Sequence, residues 1–211
     1  MERLIALAAE GEPRPVDAVL RLFDIVISVA ILVVLAPLLV LAAALIVLTS
    51  GFPLFYRGAR VGRAGTLFEM YKFRTLKPDA ELRLGPYLGD ELSRRTESEV
   101  TRVGRALRKT HLDEVPQLWN VLRGEMAVVG PRPIRPAFFN ELCEEIPQYW
   151  QRLVVRPGVT EFAQTRVTRE ETWANKLAHD MEYIADRSVG LYLSVLLRTV
   201  TKVLGGGPVS E

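Results

Sequence analysis

The sequence predicts an α+β protein: a mostly helical, membrane-associated domain with a small β-hairpin, held by an N-terminal apolar helix. Three observations lead there. Residues 25–48 read IVISVAILVVLAPLLVLAAALIVL, about 24 residues interrupted only by Ser28 and Pro37. Two segments rich in aromatic and β-branched residues, 54–57 and 66–74, flank a glycine-rich link. Beyond them, apolar residues recur at helical spacing: Val115, Leu118, Trp119 and Leu122, then Leu193, Leu196, Leu197, Val200 and Val203.

The apolar run can cross a bilayer core of about 30 Å as a helix. It is too long for a signal-peptide core, and Leu48-Thr49-Ser50 is a poor cleavage site. Pro37 lies near its middle. It either kinks a spanning helix or breaks the run into two half-helices of about 18 Å each that return to one face. The residues alone leave both open. Arg57, Arg60, Arg63, Lys72 and Arg74 follow the run, which puts its C-terminal side in the cytoplasm. Before it, Asp17, Arg21 and Asp24 share one helical face among apolar neighbours, as in an interfacial helix entering a membrane. The chain therefore divides into a membrane segment, 1–50, and a cytoplasmic segment, 51–211, acting as one unit.

Composition excludes several functions. The 211 residues carry 27 basic and 25 acidic side chains, a net charge of +2, so bulk charge drives no nucleic-acid binding. A single cysteine, Cys143, excludes an internal disulfide and a cysteine-based zinc site, and fits a reducing compartment. Two histidines, His111 and His179, exclude a histidine-rich metal site.

In the cytoplasmic segment, the link 58–65, GARVGRAG, reads as an exposed hairpin loop; the functional alternative is a basic loop against headgroups or a phosphate. It is no Walker loop, because no Gly-Lys-Ser/Thr follows. Residues 77–99 read as a polar loop or short helices, 102–109 as a basic helix, 127–129 as a short strand and 136–146 as a helix. Arg156-Pro157-Gly158 suggests a turn. A polar helix over 170–184 and a last helix ending at glycines 205–207 complete the chain.

Asp113-Glu114 is the most informative pair. Pro116 is tolerated only in a first helical turn, so the helix is expected to start at or just before Glu114, with Asp113 near the N-cap. A carboxylate there stays ionised and can serve as a nucleophile or metal ligand; as a plain capping residue it would do neither. Asp90-Glu91 is a second such pair, in a less promising setting. Arg105, Arg108 and Lys109 precede Asp113, Arg132 sits between two prolines, and Arg156 precedes a Pro-Gly. Arginines on stiff loops suit bidentate contacts to phosphate. Two carboxylates, several arginines and a membrane segment together point to a phosphate substrate, a divalent metal and a lipid. His111 could carry a proton but reads first as a surface histidine. No GxSxG elbow is present.

YKFRT at 71–75, LDEVPQLWNVLRGEM at 112–126, VVGPRP at 128–133 and RPGVTEFAQ at 156–164 occur in an order that resembles the monotopic phosphoglycosyl transferases, a family of bacterial sugar transferases. The resemblance runs from about Arg21 to Leu204. It implies an enzyme that moves a sugar 1-phosphate from a UDP-sugar to polyprenyl (undecaprenyl) phosphate, with Mg²⁺, releasing UMP through a covalent aspartyl intermediate. This would be the first membrane step of glycoconjugate assembly, at the cytoplasmic face of a bacterial inner membrane. It implies Asp113 as nucleophile and Glu114 as its acidic partner, both beside the metal. Arg108, Arg132, Lys72, Arg74, Arg156 and Gln164 fall on substrate- and phosphate-binding motif positions. It also implies a re-entrant helix broken at Ala36-Pro37, where the family has Ser-Pro. Glu161-Phe162 stands where the family has Gly-Trp, a departure in the expected pocket. The implied partners are the UDP-sugar, the polyprenyl phosphate and membrane lipid, with oligomeric state open, a homodimer included. Two rivals remain: a direct Mg²⁺-dependent transferase in which Asp113 only binds metal, and a non-catalytic membrane adaptor.

Overall fold

A computed structural model describes residues 14–80, 83, 96–162 and 172–204. The first element, α1, is Pro15–Ser50. Proline suits its first position, and the Asp17 carboxylate accepts the Arg14 amide (2.9 Å). The start of α1 is tied to residues 185–187. Arg187 reaches both Asp17 oxygens (2.6 and 3.0 Å), and the Arg14 guanidinium donates to the Ala185 carbonyl (2.6 Å). Among the described residues, α1 is long and apolar enough to cross a membrane by length and composition.

The helix runs through Pro37 without interruption, so the expected break at Ala36-Pro37 is no gap in the helix, and any return of the chain must come from a bend within it. A proline deletes only its own hydrogen bond, and the apolar residues on either side favour internal pairing. One stripe of α1 is buried: Leu20, Asp24, Ser28, Ala42 and Ile46. Its N-terminal half packs with Leu118, Val121, Val129 and Tyr192; Ala42 and Ile46 pack with Phe73 and Leu107. The opposite face exposes Val19, Val26, Val33, Val34, Val40, Leu41 and Leu48, and Pro37 is on the exposed side too.

Strand β1, Phe55–Val61, pairs antiparallel with β2, Leu67–Phe73, setting Phe55 opposite Phe73 and Val61 opposite Leu67. The expected loop 58–65 is therefore mostly strand, and only a 3₁₀ turn at Arg63–Gly65 remains. The missed signal is a period-two alternation: Gly58 and Arg60 point inward while Arg57 and Ala59 point outward. A second two-stranded sheet is parallel: β3, Ala127–Val129, beside β4, Gly158–Thr160. The predicted turn at 156–158 thus feeds a strand. Glycine is needed at 158, where an added Cβ would lie 2.1 Å from the Gly130 nitrogen.

Helix α2, Arg102–Lys109, is capped by Thr101, whose hydroxyl accepts the Gly104 amide (2.8 Å). A 3₁₀ turn, Leu112–Glu114, follows, then α3, Gln117–Leu122. Asp113 is thus not the N-cap of α3; Pro116 holds that place. Proline cannot donate, so the chain makes a separate tight turn first, with Glu114 and Val115 amides bonded to His111 and Leu112 carbonyls (3.2 and 3.3 Å). The remaining elements are α4, Pro136–Glu145, a 3₁₀ stretch Tyr149–Val154, α5, Trp173–Asp186, and α6, Val189–Leu204. Most of the polar stretch 77–99, with Asp90-Glu91, lies outside the described residues, as do 170–171 of the predicted polar helix.

Asn120 joins α3 to the hairpin. It is fully buried, its carbonyl accepts the Tyr71 amide (3.0 Å), and its amide donates to the Glu69 carbonyl and the Glu125 carboxylate (both 2.7 Å). These bonds cover the outer edge of β2. Asn120→Ala removes three hydrogen bonds made by a fully buried amide and is expected to cost about 2–4 kcal/mol, read as a lowered thermal midpoint in detergent.

Candidate active site

Strand β2 and the 3₁₀ turn meet in the site. The chain leaves α2 through His111, which adopts a left-handed backbone (φ 56°) that non-glycine residues rarely use. That reversal sets Asp113 and Glu114 beside Lys72 of β2. The Lys72 ammonium lies 2.5 Å from a Glu114 oxygen. Arg108 donates from Nε to the Thr75 hydroxyl (3.0 Å), and Thr75 in turn receives the Thr101 amide on its carbonyl (2.9 Å). Only glycine fits at 104, because an added Cβ would stand 2.1 Å from the Thr75 oxygen.

The two carboxylates are pushed apart electrostatically. Burial raises Asp113 above the usual aspartate range, and the adjacent Glu114 charge raises it further, against the pull of Lys72 and Arg108. Burial also works upward on Glu114. There the Lys72 charge and hydrogen bond, with Arg132 and His111, win, and the carboxyl is held below its ordinary value. Lys72, Glu114, Gln117, Arg132 and Glu161 line one open cleft with Arg60 and Met70.

Glu114 on the open cleft, with Asp113 adjacent to it, suits Mg²⁺, which binds through one or two carboxylates, phosphate oxygens and waters. No group of three or more His, Cys, Asp or Glu side chains forms an all-protein cage among the described residues. Asp113 and Glu114 are the residues that would hold the ion.

Glu114, Lys72 and Arg132 line this cleft; Asp113 is not part of the lining but adjoins Glu114, within reach of the Lys72 and Arg108 charges. Arg156 lies elsewhere: its Nε donates to the Gly124 carbonyl (2.8 Å), next to Arg21, which bonds the Val121 and Leu122 carbonyls (2.7 and 3.1 Å). Both arginines cap the end of α3. Arg74 holds the Ser50 and Gly51 carbonyls (2.6 and 2.5 Å), fastening the end of α1. Gln164 lies outside the described residues. Ala36 and Pro37 are exposed on α1, away from the cleft.

Sequence reasoning missed three contributors. Arg60 reaches the cleft from β1 and was legible only through strand alternation. Arg152 and Asp180 carried no local signal. Their buried ion pair (2.8 Å) sits behind the Arg132 loop, where Arg152 also donates to the Tyr149 hydroxyl and to the Arg132 carbonyl (2.9 Å).

A tight turn sets paired carboxylates beside a basic cleft, and a helix long and apolar enough to cross a membrane packs on the same core. The bacterial sugar transferase family profile matches residues 16–206, and the chain belongs to that family. It is 39% identical over 202 residues to a UDP-glucose:undecaprenyl-phosphate glucose-1-phosphate transferase of Caulobacter vibrioides, covering 92% of this chain and 74% of the relative. It is 34% identical over 194 residues to the undecaprenyl-phosphate galactose phosphotransferase of Salmonella typhimurium, covering 87% of this chain and 40% of the relative. A UDP-N-acetylgalactosamine-undecaprenyl-phosphate N-acetylgalactosaminephosphotransferase of Aeromonas hydrophila is 34% identical over 157 residues, 73% of this chain and 36% of the relative. The last two matches therefore span well under half of those proteins.

Proposed function

We propose that the chain transfers a sugar 1-phosphate from a UDP-sugar to undecaprenyl phosphate, releasing UMP, with Asp113 as nucleophile. The observation that carries this reading is the buried Asp113, under the charges of Lys72 and Arg108 and beside a lysine-neutralised Glu114 on the cleft. The names of the relatives supply the substrate classes.

An Asp113 oxygen attacks the phosphorus that carries the sugar. The bond to the bridging oxygen breaks, and that oxygen leaves with UMP. An oxygen of the lipid phosphate then attacks the same phosphorus and frees the Asp113 carboxylate. Lys72 keeps Glu114 ionised, and Arg108 and Arg132 offset charge on the phosphoryl oxygens. With Mg²⁺ held by the two carboxylates, repulsion between Asp113 and the donor falls. Two steps let a soluble donor and a lipid acceptor use one site in turn.

The test is UMP release from UDP-sugars without acceptor, with Mg²⁺ or with EDTA. The covalent route gives one UMP per enzyme and a phosphosugar adduct on the peptide containing Asp113. No UMP before acceptor addition favours direct transfer; none under any condition favours the adaptor. A screen of UDP-sugars with undecaprenyl phosphate identifies the sugar.

We further propose that α1 enters the membrane from the cytoplasm and returns to it. Both of its halves pack on the same domain, although a straight helix of its length would reach about 54 Å. Pro37 lies on the exposed side, and a proline kink bends a helix away from the proline, toward the domain. After Cys143→Ser, single cysteines placed at residues 5 and 57 should both resist a membrane-impermeant thiol reagent in intact cells. Labelling at 5 alone would show a spanning helix.

A further inference from the structure

Arg60 takes no part in the chemistry proposed for Asp113, yet it is a buried charge. It is 9% exposed, and its Nη1 donates to the carbonyl of its own neighbour, Ala59 (2.8 Å). Tyr56 and Arg60 close over Gly58, where an added Cβ would meet the Tyr56 oxygen at 2.6 Å and Arg60 Nη1 at 2.9 Å. Among the described residues, the anionic candidates in the cleft are Glu114, which Lys72 already neutralises, and Glu161; no carboxylate there forms an ion pair with Arg60 or Arg132. Burial lowers the Arg60 pKa, and the like charges of Arg135 and Arg132 lower it further, opposed by Tyr56. Two guanidiniums facing one cleft without a carboxylate partner are unfavourable unless an anion joins them.

Position says which anion. Lys72 and Arg108 act on Asp113, and Arg132 acts on Glu114, whereas Arg60 figures in the surroundings of neither carboxylate. It lines the cleft with Lys72, Glu114 and Arg132, whereas Asp113 is not part of that lining. Resting on the transferase reading, we propose that Arg60, paired with Arg132, binds the phosphate that departs with the nucleoside, so that it holds UDP-sugar before the first step and UMP after it. The guanidinium fork suits two oxygens of that phosphate.

The test uses the full chain in detergent and measures binding of UMP and of uridine by calorimetry, beside donor kinetics. Wild type should bind UMP far more tightly than uridine. Arg60→Gln should weaken UMP by at least about tenfold, as expected for a lost charge-assisted pair, and leave uridine unchanged. The donor KM should rise by a similar factor, while discharge of a preformed Asp113 adduct to undecaprenyl phosphate keeps its rate. Arg60→Lys keeps the charge without the fork and should fall between, which carries the test should Arg60→Gln fail to fold. Unchanged UMP affinity in a folded Arg60→Gln or Arg60→Lys variant overturns the proposal. Tight, Arg60-dependent UMP binding in a chain that transfers no sugar phosphate would sink the transferase reading and leave this site standing.

Discussion

Asp113→Asn should abolish transfer and leave the fold intact. The amide has nearly the shape of the carboxylate, and burial already disfavours the charge that it removes. It cannot attack phosphorus as an anion. The expected loss is at least about 10³-fold in kcat, on the scale of removing a nucleophile, with the thermal midpoint within a few degrees of wild type. No adduct should form from labelled UDP-sugar. Near-normal turnover would remove Asp113 from the chemistry. Asp90→Asn should keep most activity, because the proposed chemistry is assigned to Asp113; an equal loss would show that the wrong carboxylate pair was chosen.

Arg152→Met should cost stability on the scale of about 3–5 kcal/mol, because it leaves Asp180 as an uncompensated buried charge. It also frees the Arg132 carbonyl, so the loop bearing a cleft arginine loses its rear support. Adding Asp180→Leu should recover some of the loss, since an apolar pair avoids the desolvation cost. Both effects can be read by thermal unfolding at pH 7.5. The pair also sets a pH signature. Burial pushes Asp180 up to about 6, against the pull of Arg152. A carboxyl whose folded pKa lies above its ordinary 3.8 keeps a proton that the unfolded chain releases. Its contribution to stability is therefore present below about pH 4 and lost as pH rises through 6. An Asp180→Asn chain should lack that slope, and an identical pH profile would exclude Asp180 as its source.

The site was legible where chemistry and local sequence coincide. Asp113 and Glu114 adjoin each other just ahead of Pro116, Arg132 lies between Pro131 and Pro133, and the restrictions of proline announce a fixed backbone before any fold is known. The helices over 102–109 and 136–145 were readable for the same local reasons. What could not be read depends on distance along the chain. Lys72 meets Glu114 42 residues later, and Arg152 reaches Arg132 from 20 residues on. Neither pairing leaves a trace in a window of ten residues. Arg60 was missed because glycines at 58, 62 and 65 suggest a loop, although side-chain alternation outweighs them. Arg74 and Arg156 show the converse. Their motif positions suggested phosphate, and the structure engages both with backbone carbonyls.

The attachment of α1 has a consequence for how the protein is made. Asp24, near the start of the apolar run, accepts the Val128 amide (2.8 Å) and the Tyr192 hydroxyl (2.9 Å), partners 104 and 168 residues downstream. During synthesis the helix is therefore complete long before the groups that satisfy its carboxylate exist. Closing a loop of that size is slow, and it comes late. Val128 lies in β3, just ahead of the loop that carries Arg132. If α1 enters the membrane as proposed, the order of translation makes that entry precede assembly of the cleft, and a ribosome-bound chain ending before α6 would present α1 without its last hydrogen-bond partner.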